Sequence, residues 1–436
     1  MATKATMNDV RRGSHGRLDM INQFPDDVLC NIISCLCVDE AVCFDPSKAA
    51  LLHARRYARL VHKVLHDHLG DLNTCRFRHF PQIFSEVEKW IEFVILKKGL
   101  TSLILETEKS FEEINHSLLG TSPYVKINFK PRIFSNLYSL ELTNYAFNSL
   151  ASSAFESCDK LKILKLKKMI MKDEIVTGIL ENCLRLEKFS LIESFGFEKL
   201  KILNLSLKFL ELQLLMVGEI EVFVENLQVM VLNSLICPIK GLRIFAPKLK
   251  SFCSSYDATA QIMQGNRTEQ YVLKTQDILE NCSDLLGSQT INNFENLLTL
   301  SIDLDLNNIR EALSLSFVLR SCLYLENLEI TVPVDEVSNS NGRRDDCTLP
   351  FPNSIFWERP EILYNCINQK LKYAIIRGFT GKEQEVKFAK HLITNANVME
   401  RMSIICDSSI VDEASNLLSL PRASVYLCIT LKSKVN

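Results

Sequence analysis

Three histidines crowd a short run of chain, His62, His66 and His68, a few residues ahead of Cys75. Histidines four apart share one helical face, and that is how imidazole pairs hold zinc. No acidic or thiol third ligand stands at a matching interval, so the run is read as a partly exposed helix end rich in histidine. A second cluster is Cys30, Cys35, Cys37 and Cys43. On helices these thiols would point in different directions, and no metal site is expected there either. The chain has no Gly-rich phosphate loop, no Gly-x-Ser-x-Gly elbow and no His-Glu-x-x-His zinc helix. A Cys–His nucleophilic pair stays open from sequence, yet each cysteine has a packing explanation. The expectation is a chain that is not an enzyme and needs no cofactor or metal.

Composition bounds the rest. The 436 residues are 47% hydrophobic with a net charge of -2. That supports a large core in more than one unit. It gives no global attraction to nucleic acid or to an anionic membrane. No apolar run approaches the roughly 20 residues of a membrane helix. The greasiest stretch, 200–217, is broken by Lys201, Asn204, Lys208 and Glu211. The first twenty residues are polar and carry Lys4, Arg11, Arg12 and Arg17, so no secretory signal is expected. Fifteen cysteines form an odd set without a Cys-x-x-Cys pair. Cys158, Cys183, Cys282 and Cys322 sit just ahead of strand-like phrases and read as small buried apolar groups. A reduced setting, cytoplasm and/or nucleus, is expected.

The element that must position any functional side chain is a repeated phrase, apolar-x-x-apolar-x-apolar. It appears at Leu137/Leu140/Leu142, Leu161/Leu164/Leu166 and Leu186/Phe189/Leu191, about every 24 residues, an interval typical of leucine-rich units. Each phrase is a short strand entered through a turn, its last two apolar residues pointing inward. No unit covers its own apolar face, so neighbours must stack. Further strands are expected at Leu103, Leu200, Leu207, Leu227, Leu249, Leu297 and Leu325, the first after a helix centred on Trp90. The crowded intervals after Leu200 leave no room for helices, and the back of the stack there should be irregular. The fold class is α/β: a leucine-rich-repeat solenoid over 70–332 with helical and α/β modules at its two ends.

Outward slots on these strands are polar. They hold Glu141 and Thr143, Lys165 and Lys167, Ser190, and Asn204. Beyond them come Glu211, Gln213 and Asn233, then Ser301, Asp303, Glu329 and Thr331. As a set they would line one face with graded charge, and a protein target is the expected occupant.

Residues 1–17 read as disordered. Over 18–69, Pro25 suits a first helical turn, with Asp26 and Asp27 at the positive end of the helix dipole. Val28, Leu29, Ile32, Ile33 and Leu36 form an apolar stripe. A longer helix is expected from Asp45-Pro46 through Leu65. Ile21 to Val42 resembles an F-box, the helical module that docks a Skp-type adaptor to a cullin–RING ubiquitin ligase. The resemblance rests on the Phe-Pro-Asp-Asp-Val-Leu opening, the Ile32-Ile33-Ser34 centre and the Asp39-Glu40-Ala41-Val42 step. It implies adaptor contacts from Phe24, Pro25, Val28, Leu29, Ile32, Ile33, Leu36, Ala41 and Val42. The family's Leu-Ser-Lys-Arg-Trp-Arg-type continuation is replaced by Asp45-Pro46-Ser47-Lys48 or by Arg55-Arg56-Tyr57, without the Trp.

Residues 333–356 read as a linker or long loop. Over 357–436 the chain resembles the FBD domain of plant F-box/leucine-rich-repeat proteins, through Gly378-Phe379-Thr380-Gly381 and the Asn395-to-Met402 segment. It would close the open end of the solenoid as an α/β cap. The resemblance implies a substrate receptor of an SCF (Skp–cullin–F-box) ubiquitin ligase. The alternative is a ligase-independent repeat scaffold with a decayed F-box.

Overall fold

The computed structural model describes residues 46–68, 70–79, 83–107, 125–127, 129–148, 150–238, 241–255, 275, 278–279, 294–333, 357 and 364–433. The chain divides into two compact units, Met1–Leu161 and Lys162–Asn436. The described elements are α/β, with parallel strands dominating both units.

In the first unit, helix α1 spans Pro46–Asp67 and helix α2 spans Phe84–Lys97. Proline opens α1, where a missing N–H leaves nothing unsatisfied. Tyr57, Val61 and Leu65, spaced by four, form its buried face. Tyr57 packs edge-on to Trp90 of α2, centroids 6.1 Å apart, and its hydroxyl donates to the Arg78 carbonyl at 2.7 Å. Strands β1 (Thr74–His79), β2 (Ser102–Thr107) and β4 (Ser139–Thr143) pair in parallel. A separate short ladder joins β3 (Val125–Ile127) to β5 (Tyr145–Phe147). The strands therefore begin one unit earlier than the phrase at Leu103. Cys75, Phe77 and His79 alternate inward on β1, but with polar and aromatic residues where the repeat carries leucine.

In the second unit ten described strands form one parallel ladder. In ladder order they are β6 (Ile163–Lys167), β7 (Lys188–Ile192), β9 (Phe209–Gln213), β11 (Val229–Asn233), β13 (Ser251–Ser255), β14 (Thr299–Asp303) and β15 (Asn327–Thr331). The ladder continues through β16 (Tyr373–Phe379), β17 (Arg401–Cys406) and β18 (Cys428–Ser433). Each strand buries its second and fourth residues up to β15, as at Leu164 and Leu166 or Leu210 and Leu212. Burying each such side chain contributes roughly 1.5–3 kcal/mol.

One hydrogen-bond device recurs at the strand entries from β7 to β17 along the ladder. The Lys162 carbonyl accepts from the N–H groups of both Glu187 and Lys188. Glu187, Lys208, Gln228, Lys250, Leu298, Glu326 and Lys372 do the same for the strand that follows. A second device ends the strands. Lys168, Glu193, Leu214 and Ser234, each just past a strand, take φ near +50° and donate to the last carbonyl of the next strand at 2.9–3.0 Å.

Spacing decides what covers the back of the ladder. Helix α3 (Asp173–Asn182) lies between β6 and β7, and α4 (Ile309–Ser321) between β14 and β15. Between β7 and β13 the strand starts are only 20–22 residues apart. The expected irregular backing is instead a second parallel sheet, β8 (Lys199–Ile202), β10 (Glu219–Phe223) and β12 (Leu242–Phe245). The phrase at Leu200 is thereby corrected. Leu200 and Ile202 face the core from β8, while Leu203 and Leu205 are exposed.

Past β15 the same phrase returns as Leu371/Ala374/Ile376 and Met399/Met402/Ile404, all buried. β16 pairs with β15 in register, Leu328 opposite Ala374 and Ile330 opposite Ile376. A short helix, α5 (Asn365–Gln369), precedes β16, and α6 (Glu383–Asn395) backs it. The buried Glu385 carboxylate fixes the start of α6. It accepts from the Thr380 N–H and hydroxyl, both at 2.7 Å, and from Asn307 Nδ2 at 3.0 Å.

Candidate protein-interaction face

Because side chains alternate along a strand, the first, third and fifth positions of β6–β18 point away from the buried leucines. Register lines them up in three rows. The middle row runs Lys165, Ser190, Glu211, Val231, Cys253, Ser301, Glu329, Ile375, Ser403 and Thr430. The fifth-position row holds Lys167, Gln213, Asn233, Ser255, Asp303, Thr331 and Arg377 among its members. Ten of the thirteen polar residues expected on the face thus share one solvated surface of the second unit. Glu141 and Thr143 hold the equivalent slots on β4 of the first unit. Thr143 and Ser190 are outward in register yet each only 8% exposed.

Asn204 does not belong to this face. It is buried past the end of β8, where Nδ2 donates to the Cys183 carbonyl at 2.8 Å and the Leu180 carbonyl at 3.4 Å. Its Oδ1 accepts from the Ser206 N–H at 3.0 Å. The side chain closes the C-terminal end of α3, whose last carbonyls need donors. Cys253, Ser251 and Ser255 were missing from the expected set. The phrase fails at β13, where Ser254 replaces the last leucine; that serine is buried, its hydroxyl 3.4 Å from Thr275 Oγ1. The outward residues of β16–β18 were also absent, although Leu371/Ala374/Ile376 carries the same spacing.

Ion pairs order the rims. Glu187 receives Lys162 at 2.8 Å and Lys208 at 3.0 Å, and their hydrogen bonds pull its carboxyl down to about 2. Lys372 is raised by its bond from Nζ to Glu326 at 3.0 Å. On the face, Arg377 pairs with Glu329 and Lys167 lies 3.7 Å from Glu193. Burial pushes the Cys253 thiol up, and the nearby Asp303 and Glu329 carboxylates add to this against a hydrogen bond with Ser301. A thiol held protonated is a poor nucleophile.

The histidine run resolves differently from a metal helix. The rings of His62 and His66 meet at a tilt, centroids 4.2 Å apart, with His66 against Phe93 at 4.6 Å. His68 is buried and its carbonyl receives Lys98 Nζ. Among the described residues no group of three or more His, Cys, Asp or Glu is arranged to hold a metal ion. No described helix is long and apolar enough to cross a membrane. Cys158, Cys183 and Cys322 are buried. The residues implied for adaptor contact, Phe24, Pro25, Val28, Leu29, Ile32, Ile33, Leu36, Ala41 and Val42, lie outside the described residues, as do Cys30, Cys35, Cys37, Cys43 and Cys282.

Comparison with known proteins gives three similarities that run through both units. The chain is 25% identical to F-box protein At3g60790 of Arabidopsis thaliana, covering 98% of this chain and 93% of the relative. F-box protein At1g80960 of the same plant is 25% identical over 92% of this chain and 86% of its own length. The third, putative F-box protein At1g67390, is 22% identical over 94% and 91%. Residues 360–404, which include α5, β16 and α6, match the FBD family model. The match falls where the buried phrase continues past β15, and with the similarities over 92–98% of the chain it relates this chain to plant F-box proteins that carry an FBD segment.

Proposed function

We propose that the chain is the substrate-receptor subunit of an SCF-type ubiquitin ligase and has no catalytic step of its own. An F-box-like module over 18–69 docks a Skp-type adaptor, and through it the cullin–RING ligase. A leucine-rich-repeat solenoid over 70–332 presents the target protein on its outward rows. Residues 333–356 link it to an FBD cap over 357–436. The receptor contributes proximity, which alone converts a bimolecular transfer into a far more probable one.

The observation carrying this reading is the similarity to proteins named F-box proteins across 92–98% of the chain. Full-length chain mixed with a recombinant Skp-type adaptor tests it. A stable complex is expected, and Leu29→Asp should abolish it by placing a charge in the apolar docking stripe. A folded chain that recovers no adaptor overturns the receptor reading. The scaffold alternative has one observation in its favour. Tyr57 is committed to the core beside Trp90, so Arg55-Arg56-Tyr57 is a poor substitute for the missing adaptor-side segment.

A further inference from the structure

We infer that the outward face of β6–β18 takes a polypeptide segment with a basic centre and acidic flanks. This rests on the receptor reading above and names the chemistry of its target. The ten strands present thirty outward positions, and charge is segregated among them by strand. On the five central strands, β9 to β15, the only charged residues are Glu211, Asp303 and Glu329. On the five flanking strands the only ones are cationic: Lys165, Lys167 and Lys188 on one side, Arg377, Arg401 and Lys432 on the other. Each flank is thus of one sign, and the centre of the other.

Local contacts agree with that division. The field of Asp303 and Glu329 reaches the Cys253 thiol on the central strands. Arg377 pairs with Glu329 across the boundary between centre and flank. Glu211 makes no ion pair among the described residues and is half-buried, beside the apolar Phe209 and Val231. A lysine or arginine could lay its aliphatic stem on these while its head meets the carboxylate.

The pattern excludes simpler partners. A nucleic-acid backbone would be repelled by the centre, and a uniformly basic tail by both flanks. Strands stand about 4.8 Å apart, so Glu211 and Asp303 are separated by about 14 Å and Glu211 and Glu329 by about 19 Å. An extended segment crossing the strands at about 3.4 Å per residue would place its basic residues about four to six apart.

Labelled peptides of about twelve residues test this on the full-length chain, read by fluorescence anisotropy. Three peptides of equal composition differ only in charge order: acidic–basic–acidic, basic–acidic–basic, and alternating. The first should bind at least tenfold more tightly than the second, with the gap narrowing as salt rises. Glu211→Gln, and separately the triple variant Glu211→Gln/Asp303→Asn/Glu329→Gln, should erase most of that preference; Glu211→Gln keeps the test valid if the triple variant melts early. Equal binding of the three peptides, or an undiminished preference in a folded Glu211→Gln chain, overturns the inference. Adaptor recovery is measured in the same preparation. Charge-order preference without adaptor recovery supports the face while removing the ligase reading, and adaptor recovery without preference removes the face alone.

Discussion

His391 on α6 holds its neutral form in a site with little room for a proton. Nδ1 donates to the Trp357 carbonyl at 2.7 Å, and Nε2 is buried without a hydrogen-bond partner among the described residues. The rings of Tyr364 and Trp357 lie 5.6 and 6.2 Å away. Burial lowers its affinity for a proton below the ordinary value of 6.5, outweighing the bond to Trp357. The unfolded chain therefore binds the proton first as pH falls. Stability is full above about 6.5 and is lost as pH drops through that value toward the folded one. Urea midpoints should fall between pH 7.5 and 5.5, and His391→Gln should flatten that part of the slope. An unchanged slope in the variant would remove His391 as its source.

At the scale of elements, the ladder depends on how each strand leaves its neighbour. Gly378 shows this best. It sits at a register shift in β16 with φ +69°, and a Cβ there would stand 2.5 Å from the Val332 carbonyl oxygen. Left-handed backbone alone costs a non-glycine residue about 1–2 kcal/mol. With the clash added, Gly378→Ala should destabilise the second unit by about 2–4 kcal/mol, seen as a lower thermal midpoint with the circular dichroism spectrum unchanged below it. A near-neutral result would mean that β15 moves freely away from β16. Glu385 acts on the same joint, tying Thr380 to Asn307, so α6 is anchored to the turn ahead of α4.

For the molecule as a whole, the strands of the FBD match continue the parallel ladder of the second unit. Leu328 and Ile330 of β15 meet Ala374 and Ile376 of β16, and Ser316 of α4 bonds Tyr364 at 2.7 Å. Cutting the chain after Val332 would bare this whole apolar edge. The truncated protein should be recovered largely as aggregate, and any soluble fraction should lack a cooperative melt. A soluble fragment with a sharp transition would show that the ladder up to β15 folds without β16–β18.

The sequence by itself determined the α/β class, the parallel strands that carry the leucine phrase and most of the polar rows. Those follow from alternation, a local rule that two buried leucines two residues apart already enforce. The helix around Trp90 and the long helix begun by Pro46 were legible for the same reason, since stripe and cap are written within one element. Only tertiary structure decided where the phrase was spent. Leu203-Asn204-Leu205 matches the template, yet three strands competing for a narrow back surface turned β8 away and put Asn204 beneath α3. Ser254 breaks the template, yet register between β11 and β14 keeps β13 in line and its serines on the face. Pairing between strands is a long-range choice, set by what lies next door and not by the residues of the strand alone.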